Sequence, residues 1–168
     1  QSAFRIKVVY PNQRAGSAYS AAEVSATQNQ PSADRFNGAN LPMEGEADVD
    51  ASATSVDVPY DINGAVLRIR LTASEHSAEQ VKKIVIGNAG ADMVPGSRTV
   101  KLTLGSAAAA DLSADRYFYI VTSAGTYDPT MKVVTDVAEY EYDGTFGSRE
   151  FLDANLYRYA LDLDGRNA

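Results

Sequence analysis

The chain has 168 residues, 45% of them hydrophobic and 22% charged, which is enough apolar material for one domain with a real core and too much for a disordered chain. Its formal net charge of −7 repels phosphate backbones and anionic lipid, so nucleic acid and membrane surfaces are excluded as expected partners. It contains no Cys, which removes disulfides, thiolate metal sites and cysteine nucleophiles together.

From the amino end, Phe4, Ile6 and Val8 alternate with Arg5 and Lys7, the period of two expected of a half-solvated strand. Nothing before this run has a basic-then-apolar leader pattern, so the expectation is a chain that starts after any targeting segment. Residues 10–55 are rich in Ala, Ser, Asn, Gln, Pro and Gly and read as a long irregular surface excursion, with one weak strand near 22–27. Tyr10, Tyr19, Phe36, Leu41 and Met43 are expected to tack it down. Val56, Val58 and Tyr60 then alternate with Asp57 and Pro59.

The clearest strand is 65–72, where Ala65, Leu67, Ile69 and Leu71 point one way and Arg68 and Arg70 the other. Further strands are expected at 81–86, 99–104, 117–122, 131–138 and 156–163. Asn63-Gly64, Pro95-Gly96, Asp128-Pro129 and Asp143-Gly144 mark reversals between them. Helical signal is thin: Ser74 to Gln80 suits one turn with Ser74 as N-cap, and Ser106 to Ala114 is Ala-rich without an amphipathic stripe. Eight or so short strands and no crossover helix predict an all-β fold, an antiparallel two-sheet β-sandwich of about 7–9 strands forming one domain over 1–168. A closed barrel is the competing architecture.

Chemistry-bearing residues are sparse. The single histidine, His76, lies in a polar connection and reads as a solvated loop residue rather than a catalytic base or metal ligand. Glu139 and Glu141 would share one strand face, roughly 6.6–6.8 Å apart, with Tyr140 and Tyr142 on the other. A glycosidase needs its two carboxyls across a sugar cleft, so this pattern predicts a solvated acidic face. Glu44, Glu46, Asp48 and Asp50 alternate, and Asp162 and Asp164 flank Leu163, yet neither group completes a calcium-loop pattern. Gly87-Asn88-Ala89-Gly90 lacks the spacing of a phosphate loop. Lys82-Lys83 and the Arg68/Arg70 pair are too few for a nucleic-acid patch. No catalytic residue, cofactor or metal is therefore expected, and the chain is read as a non-enzyme. Tyr140 and Tyr142 are the named candidates for stacking on sugar rings in an alternative, carbohydrate-binding reading.

Several segments, in order, resemble the fimbrillin-like proteins of Bacteroidales, the subunits of surface pili and related adhesins. They are Val9-Tyr10-Pro11 after a strand, Val24-Ser25-Ala26-Thr27-Gln28, the loop reaching Leu41-Pro42-Met43, and the strand 65–71. Val81-Lys82-Lys83-Ile84-Val85-Ile86, Tyr117-Phe118-Tyr119-Ile120-Val121 and Asp143-Gly144 complete the series. The likeness spans nearly the whole chain through short, degenerate pieces. It implies a transthyretin-like sandwich corresponding to an amino-terminal fimbrillin domain, extracellular and attached at the outer membrane or in a fimbria. Such subunits polymerise by strand donation. The lipoprotein Cys and a second sandwich of the family pattern are not in this sequence, which is expected of a trimmed chain, a fragment or a short variant. The expected role is structural or adhesive, with other pilus subunits or host surface ligands as partners and no direct membrane insertion. The strand carrying Phe4, Ile6 and Val8 is the candidate edge or exchangeable element, because chain ends are displaced most easily.

Overall fold

The computed structural model describes residues 3–11, 14–15, 18–19, 23–31, 34–105, 112, 115–142 and 146–164, with backbone alone for 14–15 and 18–19. Its strands are β1 (Phe4–Tyr10), β2 (Arg14–Ala15), β3 (Ala18–Tyr19), β4 (Thr27–Gln30), β5 (Met43–Val49), β6 (Asp61–Ile62), β7 (Ala65–Thr72) and β8 (Val81–Asn88). They continue with β9 (Thr99–Leu104), β10 (Arg116–Thr122), β11 (Gly125–Tyr127), β12 (Pro129–Thr135), β13 (Glu139–Tyr142), β14 (Arg149–Phe151) and β15 (Leu156–Asp162). The fold is all-β. Among the described residues the one helical element is a 3-10 turn at Gly38–Asn40.

The two main sheets are ordered β13-β12-β8-β9-β4 and β10-β7-β15. Alternation in sequence becomes cross-strand rows in space. On the first sheet Leu102, Ile84 and Val133 lie side by side, and Tyr140 extends that row. On the second, Leu67 stands between Ile120 and Tyr157. The inward faces of both sheets merge into one buried cluster that includes Leu67, Ile69, Leu71, Ile84, Ile86, Leu102, Phe118, Ile120 and Val133. Burial of such side chains is the main stabilising term. Among the described residues no sheet closes on itself, so the barrel alternative is not what they form.

Several expectations are corrected. Fifteen strands are present among the described residues rather than 7–9, because residues between the long strands form two- and three-residue ladders too short to leave a periodic signal. The sheets are mixed: β15 runs parallel to β7, and β4 runs parallel to β9. Long intervening chain replaces the crossover helix in both cases. The 10–55 excursion is not irregular throughout, since β5 pairs with β1 along the full seven residues of each. Val56 to Tyr60 forms no strand; that stretch crosses over β5, where a Cβ at Gly45 would collide with the Pro59 carbonyl. Asp128-Pro129 is a junction rather than a reversal, carrying the chain from β11, paired with β14, into β12, paired with β8 and β13. Asp143-Gly144 and most of Ser106 to Ala114 lie outside the described residues.

Asn63-Gly64 is likewise a bend between sheets, carrying the chain from β6, paired with β5, into β7, paired with β10 and β15, whereas Pro95-Gly96 is a true reversal. Gly64 adopts φ 157°, and a Cβ there would lie 2.8 Å from Val121 Cγ1 and 3.1 Å from Thr122 O. Gly96, at φ 72°, turns the tight Val94–Ser97 hairpin.

Candidate functional site

β1 and β5 form, with the two-residue β6, a third sheet that stands apart from the main core. None of β1's residues belongs to the buried cluster. Pairing places Phe4, Ile6, Val8 and Tyr10 opposite Val49, Ala47, Gly45 and Met43 on one face, and Arg5 and Lys7 opposite Asp48 and Glu46 on the other. The charged face holds itself together: Arg5 meets Glu46 and Asp48 at 3.3 and 3.5 Å, and Lys7 meets Glu44 and Glu46 at 3.5 and 3.7 Å. These contacts are exposed and contribute register more than stability. They also show what the alternating acids of 44–48 do, which is to answer the β1 cations. Phe4 is 56% exposed and Tyr10 is exposed as well. β1 is an edge strand, with β5 as its single neighbour among the described residues. Its other backbone edge therefore presents donors and acceptors without a strand beside them.

Tyr140 and Tyr142 do not serve as a sugar platform. Both are 1% exposed and belong to the core, because β13 turns its even-numbered residues inward. Their hydroxyls are committed as well, that of Tyr142 to Asp162 O at 2.8 Å and that of Tyr140 to Glu79 Oε1 at 2.7 Å. Glu139 and Glu141 face outward as expected, and Lys132 bridges them at 3.0 and 2.7 Å. They sit on an open sheet face rather than across a cleft.

His76 is not a solvated loop residue. Its side chain is 26% exposed, with Nδ1 2.9 Å from Glu79 Oε1 and 3.1 Å from the Tyr140 hydroxyl. Glu79 is buried, and its other oxygen accepts from Thr135 Oγ1 at 2.5 Å. Burial pushes the Glu79 carboxyl up, but hydrogen bonds from Thr135, Tyr140 and His76, with attraction to His76, outweigh it and leave the group below its ordinary range. Burial and the Glu79 carboxylate together push Tyr140 up to about 12. This network ties the 75–78 turn to β12 and β13.

The same turn is capped from far along the chain. Asp164 accepts from Ser74 N at 2.8 Å and Glu75 N at 2.9 Å, and also from the Ser74 hydroxyl. Those bonds lower the Asp164 carboxyl. Ser74 is thus the capped residue and not the cap. Glu75, His76 and Asp164 bring ligand atoms within 4.8 Å of one another, but the Asp164 oxygens are occupied by these donors.

Sequence reading also missed how the edge of β10 is sealed and how Arg158 completes a basic face. Gln28 and Gln30 are buried and bond to β10 backbone, and Asp34 Oδ1 accepts from Tyr117 N at 2.8 Å. The alternation of Gln28 and Gln30 with exposed Thr27 and Asn29 was the available signal. Arg158 stands beside Arg68 across β7 and β15. No helix among the described residues is long and apolar enough to cross a membrane. A scan of known protein families gives no matching model, and a search of curated proteins gives no match.

Proposed function

We propose that the chain is a structural or adhesive subunit of a bacterial cell-surface fimbria or surface-anchored adhesin, of the Bacteroidales fimbrillin-like kind. It works by pairing sheet edges with partner subunits and not by catalysis. The observation that carries this reading is β1: a seven-residue strand at a sheet edge, outside the core, with an exposed Phe4 at its start. An edge of that kind adds a partner's extended segment through main-chain hydrogen bonds, with alternate side chains setting specificity.

Two sheets facing each other over a shared apolar core support a two-sheet sandwich, and the transthyretin-like form belongs to the same proposal. The non-enzymatic part is supported by the engagement of His76 with Glu79 and Tyr140, and of Glu139 and Glu141 with Lys132. Gold-labelled antibody against the chain, viewed by electron microscopy on intact producing cells, tests the reading. Labelled filaments or surface patches are expected, and label confined to the cell interior overturns it.

A further inference from the structure

The outer face of the β10-β7-β15 sheet is unusual for so acidic a chain. Arg68 and Arg158 are register partners on adjacent parallel strands and point to the same side, with Arg70 two residues along β7. Like charges directly opposed across a sheet destabilise it unless something answers them. Arg70 has an answer in Asp115, which accepts from its Nε at 2.9 Å. Arg68 lies with its Cζ 4.7 Å from the centre of the Tyr117 ring. Among the described residues neither Arg68 nor Arg158 has a carboxylate partner. With Tyr117 and Ala160 they line an open cleft of about 250 Å³.

Among the described residues, the β15 edge that adjoins this cleft has no strand beside it. Val66 N donates to Asn155 O at 2.9 Å and Leu163 N to Thr72 O at 3.0 Å, so residues 157, 159 and 161 turn their backbone groups toward β7. Leu156, Arg158 and Ala160 turn theirs away, and all three are exposed. Asp162 faces the same way, and its carbonyl already accepts from Tyr142. By contrast, the outer edge of β10 is filled by glutamine side chains.

We propose that β15 docks an extended acidic peptide segment as a fourth strand of this sheet, with its carboxylates received by Arg158 and Arg68. The backbone of Leu156, Arg158 and Ala160 supplies the ladder, and the two guanidiniums, side by side in one cross-strand row, receive the acidic residue that the incoming strand places beside Arg158. Ala160, small and opposite Arg70, leaves room on that face for the incoming side chains. The site lies on a different sheet from β1 and does not depend on the fibre reading.

The test is fluorescence anisotropy of the full chain with a labelled peptide of about eight residues alternating Glu and Val, at low salt. Binding is expected, with Arg158→Gln and Arg68→Gln each weakening it roughly tenfold, while Arg98→Gln leaves it unchanged. A peptide N-methylated along one edge should lose binding, since it keeps its charge and loses its ladder. Thermal melting and circular dichroism of each variant confirm that the sheet persists, and Arg158→Lys should retain part of the affinity. The proposal is overturned by absence of binding, by equal loss with Arg98→Gln, by survival of N-methylation on either edge, or by an acidic polysaccharide such as polygalacturonate taking the same arginines in the peptide's place.

Discussion

Gln28 satisfies both polar backbone groups of Val121: its Nε2 donates to Val121 O at 2.7 Å, and Val121 N donates to its Oε1 at 2.9 Å. Two residues on, Gln30 does the same for β10, donating to Tyr117 O at 3.1 Å and accepting from Tyr119 N at 3.0 Å. A pair of amide side chains thus stands where a neighbouring strand would be. It joins β4 of the five-stranded sheet to β10 of the facing sheet and closes one side of the core.

Replacing Gln28 with Leu should therefore be costly although Leu is similar in size and suited to a buried position. It strands a buried N–H and a buried C=O, each worth about 1–3 kcal/mol, so urea unfolding should show a loss of about 2–6 kcal/mol. Thr27→Val, on the exposed face of the same strand, should change stability by no more than about 0.5 kcal/mol.

The Glu79 network predicts two pH limbs. Glu79 is held below its ordinary value of 4.5 in the fold, so its contribution is present above that value and is lost as pH falls below it. Tyr140 is raised from 10.0 to about 12, so its contribution is present below pH 10.0 and is lost as pH rises toward about 12. Stability measured against pH should flatten on the acid side in Glu79→Gln and on the alkaline side in Tyr140→Phe, each with a lower plateau at neutral pH.

Gly64→Ala should destabilise by about 1–3 kcal/mol, because its Cβ meets Val121 Cγ1 at 2.8 Å and the backbone of Thr122 cannot move aside. Gly90→Ala, with nothing within 4 Å, should be close to neutral in the same thermal melts.

Removing residues 1–10 should leave the two main sheets folded, since β1 contributes nothing to the core cluster. A cooperative melt with retained protection in β7 and β8 is expected; collapse of the fold would show that β1 is structural.

Legibility followed length and two-sidedness. The strands at 99–104 and 65–72 are legible to the residue because one face is wholly buried and the other, Val66 apart, is Thr, Lys or Arg. β5 carries a period of two, Met43, Gly45, Ala47 and Val49 against Glu44, Glu46 and Asp48, but Gly and Ala leave its apolar face too weak to stand out, because its partner β1 lies outside the core. The stretch 56–60 had apolar alternation without the ladder. Tyr140 and Asp164 join the 74–79 segment through contacts 61 to 90 residues apart, which leave no local spacing to detect, whereas the His76–Glu79 pair is three residues apart and local.

The central claim is that β1 is an exchangeable edge strand. Its most direct test is to add a labelled synthetic peptide of residues 4–10 to the full chain while following amide hydrogen exchange. The account predicts that the peptide is taken up beside β5, that native β1 amides lose protection as it enters, and that β7 stays protected. Absence of uptake, with β1 amides as protected as those of β7, would contradict it.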